Sequence, residues 1–353
     1  MFQLPSNESQ EAIYNPARVG PEHPFGAVRQ ASALLGRDSE GVDSISMEEL
    51  QMMLLLSSRE MQPIRQAGHK FPMRIPRYYA GLMARHAVLR PVVVPSAKEL
   101  IVYHDDAATD VHADESEYQP VEGIVHRYPG KLLFLPTLQC FGHCRFCFRS
   151  GHRVKALSRR KVDAAIDYIR KRTDVREVLV TGGDPLVLPL EELEEIVSRI
   201  HAIDHVEIIR IGTRALAYAP QVITPELVAM LARYKPVFMT LSFVHPAEVT
   251  PYCEEKLNLL ADSGIVMLQQ GPVLKGINDD ADVLRQMYEK LAKNRVLAYY
   301  AIYGIFAPGV RHFIVSREEA RRLFMKLENT TSGHCLPHMI TLDQKENKTR
   351  SVA

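Results

Sequence analysis

The chain is short of cysteine, balanced in charge and free of long apolar runs, and each shortage removes a class of function. Its 353 residues hold five cysteines, an odd number that does not make a disulfide framework. There is no signal peptide, so this cysteine usage fits a reducing compartment, and the expected location is the cytoplasm. Lys and Arg number 43 against 42 Asp and Glu, and a net charge of +1 offers no single-signed field to nucleic acid or an anionic membrane. No apolar run approaches the ~20 residues that a bilayer requires. No internal repeat is visible. The glycosylation-like triplets at Asn7 and Asn329 lack a secretory context and read as chance. What remains is a soluble enzyme, long enough for one large domain and an appendage.

Three of the five cysteines stand together. Cys140, Cys144 and Cys147 lie in LQCFGHCRFCFRS, with the spacing C-x3-C-x2-C. Thiolates are the soft ligands of iron–sulfur clusters, and three on one short loop suffice for three irons of a 4Fe-4S cube. The fourth iron then has no protein ligand and is open to a substrate or cofactor. Zinc is the alternative, with His143 or His152 completing a set of four. Cys253 and Cys335 stand alone and read as plain core or surface thiols.

Residues 1 to about 40 are punctuated by Pro and Gly and read as an extended arm. Ser44 to Ala67 reads as a helix, with Ser46 as its cap and Glu48 and Glu49 in its first turn. Asp105 to Gln119 is acidic and polar, hence a loop. From residue 131 the pattern changes to short apolar runs at 131–137, 177–183, 206–213, 237–244, 265–271 and 296–303. Amphipathic stretches separate them, opening at Ser158, Pro189, Thr224-Pro225, Ala247 and Asp280. Apolar strands alternating with helices predict a parallel α/β sheet, and six such units fit a partial (β/α)6 TIM-like barrel. Ligands of such folds sit at the carboxyl ends of the strands, where the cysteine loop falls. The expected organisation is an N-terminal arm and helical region at 1–125, a core barrel at 126–315, and a C-terminal helix and tail at 316–353 placed to close the site.

These features resemble the radical S-adenosylmethionine (SAM) superfamily. The blocks HRYPGKLLFLPTLQCFGHCRFCFR, VTGGDPLVL, IRIGTRALAYAPQVIT, VHPAEVT, QQGPVLKGIND and TTSGHCLP are similar, in order, to the lysine 2,3-aminomutase family. The likeness spans roughly residues 70–340. It implies that a reduced 4Fe-4S cluster splits SAM to a 5′-deoxyadenosyl radical, which takes hydrogen from an unactivated carbon. Pyridoxal phosphate (PLP), joined to the substrate amine, then lets nitrogen migrate between adjacent carbons. The hard chemistry belongs to the cofactors, while the protein positions and shields them. The implied partners are a small amino-acid substrate and an electron donor such as flavodoxin or ferredoxin, and a homo-oligomer is left open.

The resemblance also assigns roles. Cys140, Cys144 and Cys147 hold the cluster, and the Gly182-Gly183-Asp184 segment contacts SAM. Arg149 pairs with the substrate carboxylate, as a planar guanidinium suits. Arg127, Lys131 and Gln270 match contacts of the PLP phosphate. His245 follows the fourth strand and either faces the site or only orders its loop. Two positions depart from the family. Ile305 stands where lysine-specific relatives place an aspartate, and the second acidic position falls at Leu342, beside Asp343. An unpaired buried ammonium is costly, so the substrate is expected not to be free lysine. The C-terminal HMITLDQKENKTRSVA lacks the family's glycine run. Lys348 is nearest in spacing to the PLP lysine, Lys345 is the alternative, and a frayed charged tail is the third reading. The oligomerisation region of longer relatives is also not found. Three functions follow from this: a PLP-dependent 2,3-aminomutase, a radical SAM enzyme without PLP, and a cluster-bearing binding protein or sensor.

Overall fold

The helical region ahead of the sheet opens with two capping boxes. The structure, a computed structural model, describes residues 42–103, 117–149, 156–304, 307–343 and 348–351, with backbone alone from 342 onward. The arm at 1–40 and most of the loop at 105–119 lie outside the described residues. Strand β1 (Ser44–Ile45) pairs with β2 (Ile75–Pro76). Between them the helix expected over Ser44 to Ala67 is two helices, α1 (Met47–Leu54) and α2 (Ser58–Lys70). Ser46 with Glu49 and Ser57 with Glu60 exchange reciprocal bonds, and Leu55 turns left-handed between the helices at φ 53°. The second box, S57-x-x-E60, is the signal that divides the run. Helices α3 (Arg77–Arg85) and α4 (Arg90–Val93) follow. Their Tyr79, Leu82, Met83, Val92 and Val93 join the same core as the sheet.

The main sheet has nine strands in the order β11-β10-β9-β8-β7-β6-β5-β4-β3. These are β3 (Ile124–Tyr128), β4 (Lys131–Thr137), β5 (Glu177–Gly182), β6 (Ile208–Thr213), β7 (Val237–Leu241), β8 (Val266–Pro272), β9 (Val296–Tyr303), β10 (His338–Asp343) and β11 (Lys348–Ser351). From β4 to β10 all neighbours are parallel, while β3 and β11 are antiparallel edges. The crossovers carry α5 (Arg159–Lys171), α6 (Leu190–His201), α7 (Ala215–Tyr218) with α8 (Pro225–Arg233), α9 (Pro251–Asp262), α10 (Ala281–Lys293) and α11 (Arg317–Glu328). Among the described residues the sheet does not close on itself, and its six strand–helix units make the expected partial barrel. The segments drawn at 125 and 315 share one core and one sheet, since β10 extends β9 in parallel.

Burial alternates along the strands. Val178, Val180, Ile209, Ile211 and Met267 are buried with the apolar faces of the helices. On the other face Leu179, Arg210, Leu268 and Gln270 stay half-buried. That second face and the carboxyl ends of the strands are where the fold offers room for a ligand.

Helix α9 shows how local chemistry sets a boundary. The expected helix from Ala247 begins instead at Pro251, because Thr250 caps it by accepting from the Cys253 amide at 3.1 Å. The same hydroxyl lies 2.6 Å from the Tyr78 hydroxyl of α3. Thr250→Ala is expected to cost about 1–2 kcal/mol, read as a lowered thermal midpoint, and Thr250→Ser to recover most of it.

Candidate active site

The loop of residues 138–149 leaves the carboxyl end of β4, and its irregular backbone is satisfied from two sides. On the sheet side, the Gly183 amide donates to Thr137 O at 2.9 Å and the Asp184 amide to Gln139 O at 2.7 Å. The glycines are there because the chains nearly touch. A Cβ on Gly183 would lie 2.1 Å from Gln139 O, and one on Gly182, at φ +112°, would lie 2.4 Å from Thr137 O. On the helical side, the amides of His143 and Arg145 donate to Arg74 O at 2.9 Å and Val92 O at 2.8 Å.

Cys144 and Cys147 both raise the Cys140 thiol, Cys144 also raises Cys147, and all three thiols are pushed up chiefly by burial, Cys147 to about 11. Iron binding would therefore displace a proton from each. The Cys144 sulfur lies 2.9 Å from the Tyr218 hydroxyl, and the Arg149 amide hydrogen-bonds the Cys147 sulfur. Among the described residues no three His, Cys, Asp or Glu side chains are grouped to hold a metal ion. Three thiolates on one loop are the soft donors that a 4Fe-4S cube takes, one iron each, so the donor set fits that group. His143, the described candidate for a zinc ligand, gives Nδ1 to Pro72 O at 2.9 Å.

The other expected residues are spread more widely. The Asp184 carboxylate is used inside the fold. It accepts from Thr213 Oγ1 at 2.8 and 2.9 Å, from the Arg214 amide at 2.9 Å and from the Leu186 amide at 3.1 Å. Burial still lifts its pKa to about 6. It ties the end of β5 to the end of β6, a structural task for this side chain. His245 Nδ1 accepts from the Ala247 amide at 3.1 Å and so orders its own turn, and burial holds its pKa low. Arg149 lies over the Phe148 ring at 4.5 Å, with its charge near Cys140 and Cys147.

Gln270 is on the half-buried face of β8, beside a register shift, while buried Gln269 grips both backbone groups of Phe243 at 3.1 and 2.8 Å. Lys131 opens β4 at its amino end. Arg127 contacts the rings of Tyr118 and Tyr128 and lines a cavity of about 310 Å³ with His126, Tyr168 and Arg172, where no residue of the cysteine loop reaches. Lys348 pairs with Asp343 in the β10–β11 ladder, so the segment read as a tail is a strand. The side chain of Lys348, together with Ile305 and Lys345, lies outside the described residues.

The chain matches the Radical SAM superfamily over residues 134–287. The L-lysine 2,3-aminomutase of Clostridium subterminale is 36% identical to it over 301 residues, covering 84% of this chain and 72% of that protein. The glutamate 2,3-aminomutase of Clostridioides difficile is 33% identical over 301 residues, 83% and 70% of the two chains. The chain belongs to the 2,3-aminomutase family of the radical SAM superfamily. It is thus an enzyme whose homologues are isomerases, and its superfamily works with a 4Fe-4S cluster, SAM, a small-molecule substrate and a reductant. No helix among the described residues is long and apolar enough to cross a membrane.

For this radical SAM enzyme, sequence reasoning missed the residues that hold the cysteine loop from behind. Arg145, between two of the cysteines, forms a bidentate pair with Glu99, and both side chains are 2% exposed. Arg214 and Glu248 form a second buried pair at 2.6 Å. Glu248 also accepts from Tyr79 Oη at 2.6 Å and from the Val244 amide at 2.8 Å. Arg145, lying among the cysteines, was a visible hint and Arg214 was not, and their acids lie 46 and 34 positions away.

Two outcomes test this arrangement. Arg145→Ala strands the Glu99 carboxylate in the core and is expected to cost about 3–5 kcal/mol, measured as loss of thermal stability. Gly183→Ala is expected to displace the cysteine loop and abolish iron loading on reconstitution. Gly130→Ala, whose Cβ would meet nothing within 4 Å, is expected to load iron as the parent does.

Proposed function

We propose that Cys140, Cys144 and Cys147 bind a 4Fe-4S cluster with one iron open to SAM, and that the enzyme converts an α-amino acid to its β-isomer. The observation that carries this reading is the cysteine loop itself, set at the carboxyl end of the first parallel strand and braced from both sides. Bound there, the reduced cluster would supply the electron for SAM cleavage, and PLP a carrier for the migrating nitrogen. The protein's share is to orient and to exclude water. Arg149, beside the cluster ligands, receives the substrate carboxylate. The Gly182–Gly183 backbone shapes the SAM side of the site. Gln270, with Arg127 and Lys131, receives the PLP phosphate, and Lys348 carries PLP.

The substrate side chain is not that of free lysine. Ile305 supports this, since an isoleucine offers an ammonium no partner. The glutamate enzyme among the relatives shows that the family accommodates other side chains. A flavodoxin or ferredoxin supplies the electron in the cytoplasm. A reading without PLP is favoured by one observation, that Lys348 sits in a regular hairpin strand where relatives carry a glycine-rich segment.

The test is anaerobic reconstitution with iron and sulfide, followed by SAM cleavage over a panel of α-amino acids and chromatography for the β-isomer. Cys144→Ala is expected to lose cluster absorbance and SAM cleavage to below detection, while Cys253→Ala keeps both. Unchanged iron content and turnover in Cys144→Ala would sink the proposal. PLP titration is expected to give a visible absorbance band that Lys348→Ala lacks. No band from a cluster-loaded protein that still cleaves SAM would establish the PLP-free reaction.

A further inference from the structure

We propose that Tyr218 is a positioning residue for the iron–sulfur cluster, its hydroxyl donating a hydrogen bond to the Cys144 sulfur that raises the cluster's reduction potential. The inference rests on the reading of Cys144 as an iron ligand. Tyr218 ends α7, just after β6, and is 2% exposed. A phenol that deep requires a partner for its hydroxyl, and Cys144 Sγ lies 2.9 Å away. An iron-bound thiolate has no proton, so it accepts and the phenol donates.

The ring has little freedom to point elsewhere. Tyr79 packs edge-on against it at 4.8 Å, and the Arg214 guanidinium lies 4.7 Å from its centroid. Gly142 approaches so closely that a Cβ there would be 3.1 Å from the ring. Arg214 is itself held by Glu248 and by Ser242 O. Cation and phenol thus share one buried station behind a single ligand. The Cys147 sulfur takes a bond from a main-chain amide, which substitution does not remove, whereas the Tyr218 hydroxyl at Cys144 is a side-chain donor that can be deleted.

Hydrogen bonds to cluster sulfurs are among the protein's levers on potential. Adding an electron makes the sulfurs richer in charge, so a donor stabilises the reduced form more than the oxidised one. Losing the donor makes one-electron reduction harder and shifts the potential to more negative values. Tyr218→Phe keeps the ring and removes only the hydroxyl.

The experiment is a mediated redox titration of reconstituted protein, poised with Ti(III) citrate and read by the electron paramagnetic resonance of the reduced cluster. Tyr218→Phe is expected to match the parent in iron content, to titrate at a more negative potential and to lose one exchangeable proton coupling to the cluster. Site-specific 3,5-difluorotyrosine at 218, a stronger donor of nearly the same shape, is expected to shift the potential to less negative values. An unchanged potential in Tyr218→Phe at equal iron content overturns the inference. Should Tyr218→Phe fail to load iron, the fluorinated protein decides, and an unshifted potential there overturns it. A parent protein that takes up no 4Fe-4S cluster overturns the ligand reading and this inference with it, whereas equal potentials overturn this inference alone.

Discussion

Glu248 has no exposed surface, and its carboxylate takes hydrogen bonds from three separate stretches of chain: Tyr79 of α3, Arg214 beyond β6 and the Val244 amide beyond β7. A charge in that position is tolerable only because it is both paired and fully bonded. The geometry that satisfies it also fixes where each stretch must lie. Arg214 is thereby set over the Tyr218 ring, and the Tyr218 hydroxyl against the Cys144 sulfur. One carboxylate couples the helical region, the ends of two core strands and the cysteine loop.

Apart from the buried Arg145–Glu99 pair, the loop is constrained at its other points by backbone. Its entry is joined to Gly183 and Asp184, and its middle to the carbonyls of Arg74 and Val92. Asp184 extends the first of these contacts sideways to Thr213 and the Arg214 amide. The twelve residues of irregular chain at 138–149 are thus tied to the sheet and to the helical region. The helical region, which a motif-centred reading treats as an appendage, supplies half of that support.

The strands from β4 to β9 were legible because each is a short, nearly continuous apolar run, and 131–137 and 296–303 match β4 and β9 to the residue. The run at 237–244 ends early, at Leu241, because the amides of Phe243 and Val244 go to the side chains of Gln269 and Glu248 instead of a ladder. The break between α1 and α2 was readable from Ser57 and Glu60. So was β10, since MITL is an apolar run in a segment that its charged surroundings disguised. The cysteines were plain from spacing alone. The need for Gly182 and Gly183 was also visible, but the reason lay in backbone contacts 45 and 44 residues back in the chain, at Thr137 and Gln139. Glu99 with Arg145 and Arg214 with Glu248 were out of reach for the same reason: local pattern does not say which distant charges share a cavity.

The C-terminal hairpin sets the register Asp343 opposite Lys348 and Leu342 opposite Thr349. Successive positions of a strand belong to opposite faces of a sheet, and directly paired positions of neighbouring strands to the same face. Positions 343 and 348 therefore share one face, and a slip of this ladder by one residue would exchange the faces of every position in β11 at once.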